Sequence, residues 1–95
     1  MLAEADADAV HIVDGNVYFP PESVDRRYLL ESKTESHCHW KGTASYYDVV
    51  VDAEVNRDAA WFYPVPKPEA AHFGGYVAFW KGVEVDAEAR SVESY

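Results

Sequence analysis

The chain of 95 residues contains one cysteine, and its 8 basic residues are fewer than half of its 17 acidic ones. A single cysteine excludes an internal disulfide, the covalent cross-link that usually stabilises small secreted domains, so we expect a reducing, cytoplasmic location. No apolar run approaches the roughly 18 residues that a membrane-spanning helix needs, and the acidic start lacks the basic and apolar regions of a signal peptide. These absences predict a soluble protein with no membrane partner.

The scarcity of basic residues leaves a net charge of -9, which repels phosphate backbones and argues against a nucleic-acid partner. The length fits one domain, residues 1–95. Acidic residues crowd both ends, which predicts frayed termini at residues 1–9 and 88–95 around a folded core of about residues 10–87. The excess of acid is also typical of proteins from a high-salt cytoplasm.

Alternating β-branched and aromatic residues predict a strand over residues 43–51, with the odd-numbered side chains on one face and the even-numbered side chains on the other. Shorter strands are predicted at 28–32, 59–63, 76–80 and 83–85, and the strand at 59–63 places Trp61 and Tyr63 on one face and Phe62 on the other. An Asp-Gly pair between residues 10–13 and 16–19 predicts a hairpin with a type I′ turn. Prolines begin short helical turns at 21–27 and 68–72. With no long helical period, this pattern predicts an all-β fold, a compact small sheet pair or a partly open barrel.

Reactive side chains are concentrated in residues 36–47. Cys38 is a candidate nucleophile, with His37 or His39 as base and Lys41 favouring the thiolate, although a free cysteine is also a common buried apolar residue. Adjacent residues of an extended segment point to opposite sides, so at most the two histidines share a face. Since no CxxC or HxxxH pair completes a ligand set, we expect no metal and no cofactor.

Aromatic side chains are numerous for so small a core, and they predict a pocket that stacks on a planar ligand. Packing in the core is the competing interpretation, and the two roles are compatible. Lys41 could hold an anionic group of that ligand, or it could be a solvated turn residue. Trp80 is expected in the core or at an oligomer face, and Asp48 is expected either to point outward or to accept hydrogen bonds within the sheet. The candidate ligand-binding residues are Lys41, Trp40, Ser45, Tyr47, Trp61 and Tyr63.

Four segments together resemble the domain of unknown function 427 family, whose members are sometimes labelled nucleotidyltransferase-like. They are residues 18–24 (YFPPESV), 38–47 (CHWKGTASYY), 58–64 (DAAWFYP) and 75–80 (GYVAFW). The resemblance implies a mainly β, tent-like or barrel-like fold with a cleft between the cysteine-to-lysine loop and the tryptophan strand. His39 stands where the family usually has proline.

The residues support a small domain that binds a small, partly anionic molecule in an aromatic-lined cleft. A second hypothesis is a structural or interaction module without catalysis, which would self-associate as a homo-oligomer. A third is a thiol-dependent or nucleotidyltransferase-like enzyme, although the sequence offers no convincing pair of carboxylates for magnesium.

Overall fold

The computed structural model describes residues 2–6, 8–81 and 83, and the backbone of residues 91–92. Its strands are β1 (Ala3–Glu4), β2 (His11–Val13), β3 (Asn16–Tyr18), β4 (Leu29–Cys38), β5 (Gly42–Val51), β6 (Glu54–Phe62), β7 (Ala78–Phe79) and β8 (Ser91–Val92). Three 3-10 helices span Pro21–Ser23, Arg26–Tyr28 and Pro68–Phe73. The predicted mainly β fold is therefore confirmed, with helical turns at the two predicted places.

Strands β2 and β3 form the predicted hairpin. Both residues of the turn have positive φ angles, 53° at Asp14 and 79° at Gly15, as a type I′ turn requires. The register pairs His11 with Tyr18 and Val13 with Asn16. The local sequence was sufficient here because aspartate tolerates the left-handed region and glycine has no Cβ to clash.

Strands β4 to β7 form a four-stranded antiparallel sheet in the order β4-β5-β6-β7. Two strands are longer than predicted: β4 continues to Cys38 and β6 begins at Glu54. The predicted strand at 76–80 is shorter, because only Ala78–Phe79 pairs with β6. Sequence patterning missed the polar half of β4 because its side chains are mostly exposed and show no apolar alternation.

The sheets of the described residues are joined at their edges but form no closed barrel. Phe19, directly after β3, exchanges two backbone hydrogen bonds of 2.8 and 2.9 Å with Val77, directly before β7. Ala3 of β1 bridges to Val24, while β1 also pairs with β8. The β2–β3 hairpin is thereby held beside the edge of the four-stranded sheet.

Each face of the four-stranded sheet packs against its own apolar cluster. Tyr47 pairs with Ala60 on one face, and Tyr46 pairs with Trp61 on the other. The first face belongs to the cluster that contains Phe19, Tyr47, Val49, Val77 and Phe79. The second belongs to the cluster of Tyr18, Ala44, Tyr63, Ala70, Phe73 and Ala78. The predicted division of residues 43–51 and 61–63 between two faces is confirmed at these positions.

The N-terminal segment contributes to the core. Leu2 and Ala3 are buried, and the carbonyl of Leu2 accepts a 2.8 Å hydrogen bond from the backbone of Asp25. Packed residues thus extend to the N-terminal side of residue 10, into the segment where the acidic sequence led us to expect fraying. Of the predicted strand at 83–85, Val83 is buried, and residues 84–85 lie outside the described part.

Among the residues that the structure describes, no helix has the length and apolar character to cross a membrane.

A matched pair of valines tests the assignment of the core. Val77 is 1% exposed and Val65 is 83% exposed. We expect Val77→Ala to lower the free energy of unfolding by about 2 kcal/mol, because it removes buried methyl groups and leaves a cavity. Val65→Ala should change it by less than about 0.5 kcal/mol. Urea denaturation of both variants measures the difference, and equal effects would contradict the described packing.

Candidate functional site

The turn between β4 and β5 buries a charged side chain. Lys41 is 7% exposed and is the only charged residue in the buried class within the described ranges. The next residue, Gly42, has a φ of 113°, and a Cβ there would lie 3.3 Å from the carbonyl oxygen of Val65. The backbone amide of Lys67 donates a 2.9 Å hydrogen bond to the carbonyl of Lys41. The proline-rich segment after β6 therefore fixes the turn.

The ammonium of Lys41 is paired with a carboxylate from a different part of the chain. Its Nζ lies 2.7 Å from Oδ2 of Asp14, in the turn of the β2–β3 hairpin. It also lies 5.1 Å from the ring centroid of Trp40 and 5.9 Å from that of Tyr63, within the range of cation–π attraction. Burial lowers the pKa of Lys41, but the bond to Asp14 and the nearby tyrosines outweigh it, so the pKa is raised. Lys41 is a cation at neutral pH.

An open cleft of about 260 Å³ lies beside this ammonium. Its walls come from the β2–β3 hairpin, the β4–β5 turn, the middle of β5, the end of β6 and the residue after β7. The lining residues are Asn16, Tyr18, Lys41, Tyr46, Trp61, Tyr63 and Trp80. Five of these seven residues carry aromatic rings, so the cleft combines flat apolar surfaces with hydroxyl groups and one cation.

Hydrogen bonds hold the two tryptophans of the cleft in place. The indole Nε1–H of Trp61 donates a 3.1 Å bond to the hydroxyl of Tyr18, and that of Trp80 donates a 2.6 Å bond to the carbonyl of Asp58. The two indoles meet edge to face with centroids 5.6 Å apart. Trp80 remains 45% exposed, with the ammonium of Lys81 5.1 Å from its ring centroid. These contacts fix the positions of both indoles in the wall of the cleft.

Tyr63 lies between the cleft and the second apolar cluster. It is 5% exposed, and its ring meets that of Phe73 edge to face at 6.3 Å. Burial, with a smaller contribution from the neighbouring Tyr18, raises the pKa of Tyr63 to about 12. The attraction of Lys41 for a phenolate opposes this shift without cancelling it. Tyr63 is therefore a neutral hydroxyl over the whole physiological range.

The structure brings three of the predicted ligand-binding residues, Lys41, Trp61 and Tyr63, into one cleft. Trp40 is not among the residues that line the cleft, and its half-buried ring packs edge-on against Phe73, with 6.2 Å between the ring centroids. Tyr47 lies on the opposite face of the sheet, where it stacks on Phe62 at 4.8 Å and its hydroxyl accepts a 3.0 Å bond from Arg26.

Ser45 shares the face of Tyr47, since side chains of a strand alternate. It lines two open depressions with Pro64, and Lys41 lines neither of them. The cleft therefore does not include Ser45 among its walls.

Cys38 and its flanking histidines lie at the end of β4. Cys38 is half-buried and packs against the second apolar cluster, and it is a free thiol. His37 is exposed, with Nδ1 3.5 Å from the hydroxyl of Thr43, and the backbone carbonyl of His39 accepts a 2.6 Å bond from Nζ of Lys67. Within the described ranges, neither histidine forms a hydrogen bond with Cys38. This arrangement suits packing better than a cysteine–histidine nucleophile.

A polar cluster occupies the middle of the sheet, where the register of both β4–β5 and β5–β6 shifts. Oδ1 of Asp48 accepts a 2.9 Å bond from the backbone of Asp58, which confirms the predicted acceptor role. The Asp58 carboxylate accepts bonds from the hydroxyls of Ser32 at 2.6 Å and Thr34 at 2.8 Å. These two bonds hold the pKa of Asp58 below its usual value. These hydrogen bonds satisfy the polar groups of the cluster at the place where the strand pairing is irregular.

A metal site is not supported by the described part of the chain, which contains no group of three or more histidine, cysteine, aspartate or glutamate residues suited to a metal ion. The ring of His72, which lies far from Cys38 in the sequence, contacts the rings of His11 at 5.2 Å and Phe73 at 4.9 Å.

Sequence reasoning missed five residues of the site. They are Asp14, Asn16, Tyr18, Tyr46 and Trp80. Three of them belong to the β2–β3 hairpin, which reaches the cleft through its contacts with β7 and not through any local pattern. The one available signal was the Asp-Gly turn itself, which placed an acidic side chain at an exposed tip without showing its partner.

The chain is thus a small antiparallel β domain whose hairpin forms one wall of an open aromatic cleft beside a buried lysine. A model of the family described as Domain of unknown function (DUF427) matches residues 7–91. The chain belongs to this family, and the resemblance drawn from its four segments is confirmed. No curated protein matches the chain.

The raised pKa of Tyr63 predicts how stability depends on pH. Its pKa is about 12 in the folded protein and near the ordinary tyrosine value of 10.0 in the unfolded chain. As the pH rises, the unfolded state therefore loses this proton first. The contribution of the Tyr63 hydroxyl to the free energy of unfolding is complete below pH 10 and declines as the pH rises toward 12. We expect the unfolding free energy of the wild type to fall more steeply between about pH 10 and pH 12 than that of Tyr63→Phe. Urea denaturation across this range measures both slopes, and parallel slopes would contradict the burial of this hydroxyl.

Proposed function

We propose that the protein binds a small, planar, partly anionic molecule in the cleft of Lys41, Trp61 and Tyr63. The observation that carries the proposal is a protonated lysine, 7% exposed, at the wall of an open cleft. Burying a charge is costly, and it is rare unless the charge is paired. A buried ammonium beside aromatic side chains can bind an anionic group that is attached to a ring.

The shape of the cleft supports a small ligand. Its volume of about 260 Å³ lies near the lower limit of ligand sites and suits a molecule of one or two rings. The exposed part of Trp80 and the ring of Trp61 offer ring contacts, and the hydroxyl of Tyr46, which lies 2.8 Å from Oγ of Ser36, can orient a polar group. Since hydrogen bonds fix both indoles, little ordering cost opposes binding.

Paired tyrosine variants test whether binding occurs at this cleft. A screen of planar anionic compounds, read out as a rise in melting temperature, should give a stabilised complex, since a ligand at 100 times its Kd adds about 2.7 kcal/mol. We expect Lys41→Gln to abolish the shift, because it removes the cation. Tyr63→Phe should weaken it, because it removes a hydroxyl of the cleft.

Tyr47→Phe is the matched control, because Tyr47 is equally buried but lies on the other face of the sheet. It should leave the ligand-induced shift unchanged. Equal loss in Tyr47→Phe and Tyr63→Phe would place binding elsewhere, and the absence of any shift in a folded protein would refute the proposal.

A second candidate function is self-association, and it is favoured by the open edge of the sheet. Among the described strands, β4 pairs with β5 alone, so one side of a ten-residue strand has no strand neighbour. Leu30 on this strand is 59% exposed. The backbone groups on an unpaired strand edge of this length can form hydrogen bonds with a second copy of the chain.

Light scattering over a range of protein concentrations tests this candidate. Self-association through β4 predicts a mass that rises with concentration, and a charge at an edge opposes such pairing, so Leu30→Lys should lower the mass. A strict monomer at high concentration would rule this function out.

A further inference from the structure

We propose that the anionic group of the ligand is a carboxylate, and that it binds by replacing Asp14 as the partner of Lys41. The inference rests on the proposed function, since it concerns the same cleft. It gives Asp14 a specific role, that of an internal occupant which the ligand must displace.

The two members of the ion pair differ greatly in exposure. The side chain of Lys41 is 9% exposed and that of Asp14 is 57% exposed, although their atoms are 2.7 Å apart. Lys41 is held by the turn at Gly42, whose backbone is packed against the carbonyl of Val65. Asp14 stands at the tip of a two-residue hairpin turn, so rotation of its side chain returns the carboxylate to water at little cost.

The lysine cannot lose its partner as easily. A buried cation without a counter-ion is strongly unfavourable, so departure of Asp14 requires that another anion take its place. The cleft opens beside the ammonium and is the route by which a ligand anion reaches it. An exchange of one carboxylate for another leaves the ammonium of Lys41 paired with one negative charge.

The composition of the cleft favours a carboxylate over a phosphate. Phosphate sites usually combine several donors, such as helix N-termini, glycine-rich backbone amides and arginine. Among the described lining residues, the one cation is Lys41, and the others are aromatic residues and Asn16. A single ammonium balances one negative charge, and a second would remain uncompensated in a chain of net charge -9.

Three compounds with the same ring and different head groups test the proposal. They are benzoate, benzamide and phenyl phosphate, which carry a monoanionic, a neutral and a mainly dianionic group. The shift of the tryptophan indole N–H signals in a titration followed by nuclear magnetic resonance gives a Kd for each. We expect benzoate to bind about tenfold more tightly than the other two, the difference that one charge-assisted hydrogen bond supplies.

Asp14→Asn is the deciding variant, because asparagine keeps the left-handed turn and removes the competing charge. It should tighten benzoate about tenfold and leave benzamide unchanged. Asp52→Asn is the matched control: Asp52 also has a positive φ, 55° against 53° at Asp14, and lies in the β5–β6 turn. It should change neither Kd, and it controls for the overall charge.

The outcomes separate this inference from the proposed function. Weaker benzoate binding in Asp14→Asn would show that Asp14 positions Lys41 and does not compete, which overturns the inference while the cleft remains a binding site. Equal binding of phenyl phosphate and benzoate would overturn the choice of carboxylate alone. If no planar anion binds the wild type or Asp14→Asn, both being folded, the proposed function itself fails.

Discussion

The ion pair between Lys41 and Asp14 joins two parts of the chain that are distant in sequence. Lys41 ends the first turn of the four-stranded sheet, and Asp14 lies at the tip of the β2–β3 hairpin, with 2.7 Å between their charged atoms. The pair holds the hairpin over one face of the sheet, where Tyr18 reaches Trp61. Because a buried ammonium needs a counter-ion, the cleft and the hairpin depend on each other.

Both faces of the sheet are covered, and this explains how so short a chain uses so many rings. Tyr47 and Phe62 stack on one face, while Tyr18, Trp61 and Phe73 pack on the other. A small domain has little interior volume, so large side chains fill it with few residues. The rings that lie at the margin of the second cluster become the walls of the cleft. Core and candidate site are therefore continuous, and a ligand would contact residues that also stabilise the fold.

Much of the fold followed from local sequence. The Asp14-Gly15 turn, the alternation of residues 43–51 and the prolines after β6 each predict a structure that depends on the backbone conformations of a few neighbouring residues. The bounds were less predictable where pairing partners decide them. Strand β4 continues through polar residues because β5 pairs with it, and residues 76–77 are not in β7 although their sequence suits a strand. In these places tertiary contacts override propensity.

The sequence by itself determined the residue types of the site, a lysine followed by glycine and a strand of three consecutive rings, and it assigned Trp61 and Tyr63 to one face. Only the tertiary structure decided that Lys41 is buried against Asp14, that Tyr47 lies on the far face, and that Trp80 lines the cleft. The physical reason is that side-chain alternation is a local property of a strand. The meeting of a hairpin with a sheet depends on backbone bonds such as those between Phe19 and Val77, which no short segment encodes.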